Sequence, residues 1–348
     1  MTLHTMLGTE LPLIQAPMAG SQGSALAVAV CQAGGVGSLP GAMLDADGLR
    51  RELETIRGQT AAPINVNFFC HTAPAADPAR EAAWRTALAP YFAEFGIDPD
   101  DMTAGAGRRP FSAEAADVLE AFHPEIVSFH FGLPSADLLA RVKAWGARVL
   151  SSATTVDEAR WLEAHGADAI IAQGLEAGGH RGHFLSDDLA AQLGTMALVP
   201  QVVSAVRVPV IATGGIADAR GVAAAMALGA SAVQVGTAYL LCPEATTSAV
   251  HRAALASADA RVTDVTNLFS GRPARGIVNR LMRELGPMSR LPPAFPGATN
   301  AIAPLRAAAE KRGSGDFSPL WAGQNASGCR EAPAADIVAA LAEGFGAR

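Results

Sequence analysis

A histidine set among glycines, Gly178-Gly179-His180-Arg181-Gly182, and two glycine-bearing turns, Thr213-Gly214-Gly215-Ile216 and Gln234-Val235-Gly236-Thr237, hold most of the chemical content of this chain. An imidazole takes or gives a proton near neutral pH, so His180 suits abstraction of an acidic C–H proton or stabilisation of an anionic substrate. The flanking glycines read as a flexible loop that presses its backbone against a flat ring while the imidazole projects over it. In the two turns, glycine lets the backbone pass close to a phosphate with its N–H groups pointing inward, and a following helix adds the positive end of its dipole. Thr237 adds a hydroxyl donor. Gly214, Gly215 and Gly236 are also explained as plain tight turns; the two turns together favour a phosphate.

Other polar residues gain interest from their place in short apolar segments. Asn67 and Gln173 carry amides able to pair with the edge of a heterocycle or to cap neighbouring backbone, and spacing leaves both readings open. His130 ends an apolar run, where contact with a substrate competes with a satisfied core histidine. Ala16, Pro17 and Met18 follow the first apolar run, where they pack on an aromatic ring or fill space. His183 reads as a solvated loop histidine, and Arg181 as a surface charge with a phosphate partner as the alternative. A metal site from His130, His180 and His183 is the weaker alternative, since no carboxylate and no helical HxxxH spacing accompanies them.

Stepping along the chain, eight strand-type segments alternate with Ala-rich helical ones: Leu13–Ala16, Gly35–Leu39, Pro63–Phe68, Glu125–His130, Arg148–Ser152, Ala169–Gln173, Val208–Ala212 and Ala232–Gly236. Eight βα units predict a TIM (β/α)8 barrel of the α/β class, in which loops at the C-terminal ends of the strands build the active site. Every candidate above falls at such an end or in the loop that follows. The stretch 72–119 is too long for a crossover, and it carries helical patterning near Ala82 to Phe95. Beyond residue 245 the pattern is again helical and loop-like, with Leu291-Pro292-Pro293-Ala294-Phe295-Pro296 as a stiff connector. The expected partition is a barrel from 1–71, 120–244 and 313–348, with an inserted helical lobe from 72–119 and 245–312 that covers the substrate.

Composition narrows the function classes. Of 348 residues, 50% are hydrophobic and 17% charged, enough apolar content for a large core. The formal net charge of −7 gives no electrostatic drive toward nucleic acid or an anionic membrane. Cys31, Cys70, Cys242 and Cys329 are widely spaced, form no CxxC pair, and read as ordinary buried thiols. No signal-like or membrane-length apolar run stands out, which predicts a cytoplasmic protein. Nothing specifies the oligomer, although a homodimer is compatible with helical inserts.

The motif set resembles the nitronate monooxygenases, formerly the 2-nitropropane dioxygenases. It comprises Gln15-Ala16-Pro17-Met18-Ala19-Gly20, His130-Phe131-Gly132, Gln173 with Glu176-Ala177-Gly178-Gly179-His180-Arg181-Gly182, and Thr213-Gly214-Gly215-Ile216. Pro319-Leu320-Trp321-Ala322-Gly323-Gln324 is similar to the C-terminal motif of the class I branch. The resemblance implies non-covalent FMN, its phosphate near Gly215, Gly236 and Thr237 and its ring near Met18, Asn67, Gln173 and Gly178; Ala16, Pro17, Gly179, Gly214, Gln234 and Val235 are the further cofactor-binding candidates. It implies His180 as the base toward neutral nitroalkanes or as a holder of the anionic nitronate, on alkyl nitronates such as propionate 3-nitronate; His130, from its strand end, is the second catalytic candidate. With O2, these yield a carbonyl compound and nitrite. Phe317 departs from the tyrosine expected in the C-terminal motif, and Lys311 just before it supplies either a positive group or a solvated surface charge. Three other functions remain open from sequence: an NAD(P)H-dependent FMN reductase of enoyl thioesters or quinones, a catalytically idle flavin-binding module, and a barrel for a sugar phosphate or nucleotide.

Overall fold

The computed structural model describes residues 6–98 and 107–346. Eight short buried strands run parallel around one axis: β1 (Leu13–Gln15), β2 (Gly37–Pro40), β3 (Ile64–Phe69), β4 (Ile126–His130), β5 (Arg148–Ala153), β6 (Ala169–Gln173), then β8 (Val210–Thr213) and β9 (Ala232–Val235), with the two-residue β7 (Gly179–His180) outside the barrel. Pairing proceeds from β1 through β9, β8, β6, β5, β4 and β3 to β2. The ends meet: Ile14 bridges Val36 in parallel, Gln15 N donates to the Val36 carbonyl at 2.9 Å, and Val36 N to the Leu13 carbonyl at 2.8 Å. Closure removes both sheet edges, and the predicted strands lie within two residues of the observed ones.

The outer ring comes from α1 (Ser24–Gln32), α2 (Ala46–Arg57), α4 (Ala113–Phe122), α5 (Ala136–Ala144), α6 (Val156–Ala164), α7 (Thr195–Ala205) and α8 (Ala219–Ala227), with α3 (Pro78–Phe95) inserted before α4. Asp45, Thr155 and Asp218 each cap the helix that follows them by accepting a backbone N–H. This lets the chain turn from strand to helix in a few residues and stops the strands at the barrel mouth. Inside the barrel, Ile14, Val36, Ile126, Leu150, Ile171 and Ile211 form an apolar plug. Above it lies a buried polar layer, in which the Asn65 amide donates to Ser38 Oγ at 2.9 Å and the Asn67 amide to Ser128 Oγ at 2.9 Å.

Helix α9 (Ala249–Ala256) is followed by β10 (Thr263–Thr266), β11 (Ala274–Ile277), α10 (Arg280–Leu285), α11 (Thr299–Lys311) and α12 (Ala334–Ala342). The two strands are a departure from the helical and loop-like expectation for this region. They form an antiparallel hairpin whose inner strand, β11, pairs with β7. Trp84, Leu88 and Phe92 of α3 meet Leu268, Phe269, Leu281, Ile302, Leu305 and Phe317 in a second apolar cluster. Helix α4, by contrast, packs with the outer ring, its Ala116 and Leu119 sharing a core with Leu49, Leu53 and Val142. Among the described residues, no helix is long and apolar enough to cross a membrane.

Candidate active site

At the C-terminal ends of the strands lies one cavity whose wall includes Ala16, Pro17, Met18, Asn67, His130, Gln173, Gly178, Gly179, His180, Gly214, Gly215, Gln234, Val235, Gly236 and Thr237. All fifteen candidates read from the sequence are therefore brought together. They come from six different barrel strands or the loops after them.

His180 is held far more tightly than a glycine-flanked loop suggests. Its residue pairs with Ala274 and Gly179 with Arg275, and Arg181 N donates to the Pro273 carbonyl at 2.8 Å. The His180 carbonyl accepts from the Gln173 amide at 3.0 Å and lies 3.1 Å from His130 Nε2. A carbonyl can only accept, so His130 carries its proton on Nε2, and its Nδ1 accepts from Ser152 Oγ at 3.0 Å. Both nitrogens of His130 are engaged. Gln173 also accepts from Gly182 N at 2.8 Å, so its amide braces the His180 segment from two sides. Gly182 is required because a Cβ there would stand 2.8 Å from His130 Cε1 and 3.0 Å from Ser152 Cβ.

The same accounting assigns the His180 ring. Ser270 Oγ donates to the Arg272 carbonyl at 3.3 Å, so at 2.8 Å from His180 Nε2 it acts as acceptor. The proton then sits on Nε2, and Nδ1, which has no partner among the described residues, keeps its lone pair. Burial pushes the His180 pKa well below the ordinary histidine range, and Arg108, His130, Arg272 and His71 push it the same way. Burial likewise lowers His130 to about 3, against a smaller opposing effect of its bond to the His180 carbonyl. Both rings are neutral at pH 7.

The two glycine turns are shaped as anion cradles. Gly214 and Gly215 have φ of 116° and 73°, backbone that side chains disfavour. The amides of Gly214, Gly215, Gly236 and Thr237 donate to no acceptor among the described residues. Thr237 Oγ1 accepts from Gly323 N at 3.0 Å, which leaves its own proton free to donate. The expected helix dipole contributes less than the sequence suggests. Asp218 occupies the N-cap of α8 and accepts from Gly221 N at 2.9 Å, and Gly236 is followed by one short turn of three residues, Thr237–Tyr239. Turn amides, rather than a helix end, form the cradle. Gln234 Oε1, on the same wall, is buried without a partner, an acceptor aimed at no protein donor.

The family model for nitronate monooxygenase matches residues 1–344. The chain belongs to the nitronate monooxygenase family. A nitronate monooxygenase of Paraburkholderia phytofirmans is 46% identical over 97% of this chain and 93% of its own length. Another, of Pseudomonas aeruginosa, is 45% identical over 97% of each. A solved nitroalkane oxidase from Streptomyces ansochromogenes superposes with a TM-score of 0.89 at 40% identity, covering 99% of this chain and 98% of that one. The chain is thus an enzyme of nitronate oxidation on a TIM barrel.

Several residues of this chain take places that the sequence did not announce. Arg181 is no surface charge: it is fully buried and donates to Gln192 Oε1 at 2.7 Å and to the Gly174 and Gln173 carbonyls at 2.8 and 2.9 Å. His183 is not solvated either, with 2% exposure and Nδ1 unpartnered. Among the described residues, no three His, Cys, Asp or Glu side chains gather as a metal-holding group. Phe317 stays out of the cavity wall and packs instead on Tyr91 and Phe95, with ring centroids 5.2 and 5.5 Å away. Cys31 and Cys242 are buried as expected, whereas Cys70 and Cys329 are partly exposed. Phe69, which ends β3 one residue beyond the predicted strand, lines the cavity unforeseen, as do Arg108 and Trp321, whose approach depends on long-range packing. Phe131, with φ of 70°, and Phe295 of the Pro-rich connector join Phe69 and Ala42 in a small apolar cluster beside His180.

The buried histidines make this fold sensitive to acid. Burial lowers His183 to about 3, the solvated Asp187 carboxylate 3.6 Å away notwithstanding, and lowers His251 to about 4. Unfolded imidazoles bind protons near pH 6.5, so below that pH the unfolded chain gains protons that the native rings refuse. Stability is therefore lost as pH falls from about 6.5 toward 4, by up to about 1.4 kcal/mol per pH unit for each such histidine. Thermal melts between pH 7.5 and 5 are expected to show a falling Tm, shallower in His183→Gln. A Tm constant down to pH 5 is the contrary result.

Proposed function

We propose that this enzyme oxidises small alkyl nitronates, and the nitroalkanes that ionise to them, with FMN bound non-covalently in the barrel-mouth cavity and O2 as the final acceptor. A carbonyl compound and nitrite are the products, and propionate 3-nitronate falls within the substrate class. The observation that carries the reading is the pairing, in one cavity, of a histidine with a free Nδ1 lone pair and two turns with unengaged amides.

The residues present fit FMN. The four free amides and the Thr237 hydroxyl match a phosphate, and the unpartnered Gln234 Oε1 matches an N–H on the edge of a flavin ring. When bound, FMN supplies the electron acceptance and the reaction with O2. The chain's own groups do the rest. His180 Nδ1 takes the α-proton of a neutral nitroalkane, while Ser270 keeps the ring in the tautomer that leaves this nitrogen bare. His130 and Gln173 hold the His180 backbone, and Phe69, Phe131 and Trp321 keep water from the reacting carbon. Of the segments 72–119 and 245–312, Arg108 reaches the cavity wall and Phe295 packs beside His180, and these parts supply the cover, whereas α4 belongs to the outer ring.

The test is direct. Purified protein should show the oxidised flavin spectrum, consume O2 with a preformed alkyl nitronate, and release nitrite, with little oxidation of NAD(P)H. Protein that stays colourless after addition of FMN overturns the proposal. Rapid anaerobic bleaching by NAD(P)H, without nitrite release, points instead to a reductase.

A further inference from the structure

Among the described residues that line the cavity, Arg108 alone bears a formal charge, and no aspartate, glutamate or lysine accompanies it. Among the described residues its guanidinium forms no ion pair with a carboxylate. Nη1 donates to Thr299 Oγ1 at 3.2 Å, and Cζ lies 5.9 Å from the centre of the Phe295 ring. That ring is in turn 5.3 Å from His180 and 4.8 Å from His71. A cation kept among aromatic rings and one neutral hydroxyl has poor hydration and, among the described residues, no counter-charge, so an incoming anion is the group that satisfies it.

The histidines do not compete for that role. His180 gives its Nε2 proton to Ser270 and presents a lone pair at Nδ1, which repels an oxyanion. His130 has both nitrogens engaged. A planar guanidinium with parallel N–H groups matches a planar O–N–O group, and equally an O–C–O group, in two-point contact.

We propose that Arg108 holds the negative charge of the bound substrate, and that this grip also makes short carboxylates reversible ligands of the cavity that exclude the nitronate. The first half rests on the nitronate reading above. Division of labour follows: Arg108 binds the oxyanion and His180 receives the proton.

The test compares the flavin-loaded wild type with Arg108→Met and Arg108→Lys, using propionate and benzoate as probes. Binding is read by calorimetry and by the change in flavin absorbance, and competition by nitronate kinetics. In the wild type both carboxylates should perturb the spectrum and raise the apparent KM for nitronate. Arg108→Met should weaken carboxylate binding and raise nitronate KM by 10-fold or more (roughly, for a charge-assisted pair), with FMN affinity nearly unchanged and Arg108→Lys in between. Its Tm should not fall, because a cation with no ion pair among the described residues is removed; a lowered Tm with unaltered KM marks a structural role and overturns the proposal. Weaker FMN binding with unaltered KM assigns Arg108 to the cofactor and also overturns it. If nitronates are not turned over but carboxylate binding still depends on Arg108, the functional reading fails and the anion site stands. Turnover with unchanged KM and carboxylate affinity in Arg108→Met has the opposite meaning.

Discussion

Replacing His180 by Asn is expected to leave a folded protein that binds FMN and turns over neutral nitroalkanes roughly 10²- to 10⁴-fold more slowly, the usual contribution of a positioned base. Asn ends at the δ position, so it loses the basic lone pair of Nδ1 and also the reach of Nε2 to Ser270, while its amide stays neutral and polar. A preformed nitronate needs no deprotonation, so its oxidation should fall much less, by about 10-fold or under. The ratio between the two substrates isolates proton transfer from positioning. The pH profile adds a sign. Since burial and Arg108 hold the His180 pKa well below the ordinary value, the ring stays an available base as pH drops through 6.5, and no loss of kcat/KM from its protonation should appear there. Equal losses on both substrates, or an inflection at 6.5 that vanishes in His180→Asn, would count against the assignment.

Among the glycines of the cavity wall, Gly178→Ala is expected to have the largest effect. A Cβ at this position would lie 2.6 Å from both the Ala322 carbonyl carbon and Gly323 N, atoms of backbone that no rotamer change can clear. To make room, the 321–325 segment must move away from the cavity wall. That breaks the contact of Gly323 N with Thr237 Oγ1 and of Gln324 N with the Glu176 carbonyl at 2.9 Å. Overpacking of this kind costs about 1–3 kcal/mol. Felt at the cofactor site, this weakens FMN binding by roughly 5- to 150-fold, since 1.4 kcal/mol is about tenfold. Gly179→Ala is the informative comparison. Its Cβ would meet nothing within 4 Å, but φ of 73° makes it strained, so a cost of about 1–2 kcal/mol comes from backbone alone. FMN titrations and thermal melts separate the two. Wild-type affinity and Tm in Gly178→Ala would show that the C-terminal segment does not seal the site.

The barrel was readable in the chain because its signals are local. Eight short β-rich segments, each bounded by glycine, proline or an N-cap residue, announce themselves within a few residues, and closure follows from their number. The candidate wall was readable for the same reason: once strand ends are located, Asn67, His130, Gln173 and the glycine turns have to meet at one rim. What the chain hid was set at long range. Thr263–Thr266 and Ala274–Ile277 are too short and too polar to declare a hairpin, and they become strands by pairing with each other and with Gly179 and His180. Arg181 sits between glycines in a polar stretch, yet loop carbonyls from β6 bury it completely.

Residue types and spacing by themselves thus determined the eight-stranded barrel and the rim at which the candidate residues, His180 among them, meet. Tertiary structure decided how that histidine is held, which of its nitrogens is bare, and that one guanidinium faces the cavity with no acid among the described wall residues. The physical reason is that strand and turn propensities act over a few neighbouring residues. Tautomer and charge pairing, by contrast, depend on hydrogen bonds between segments about 90 residues apart, such as His180 with Ser270.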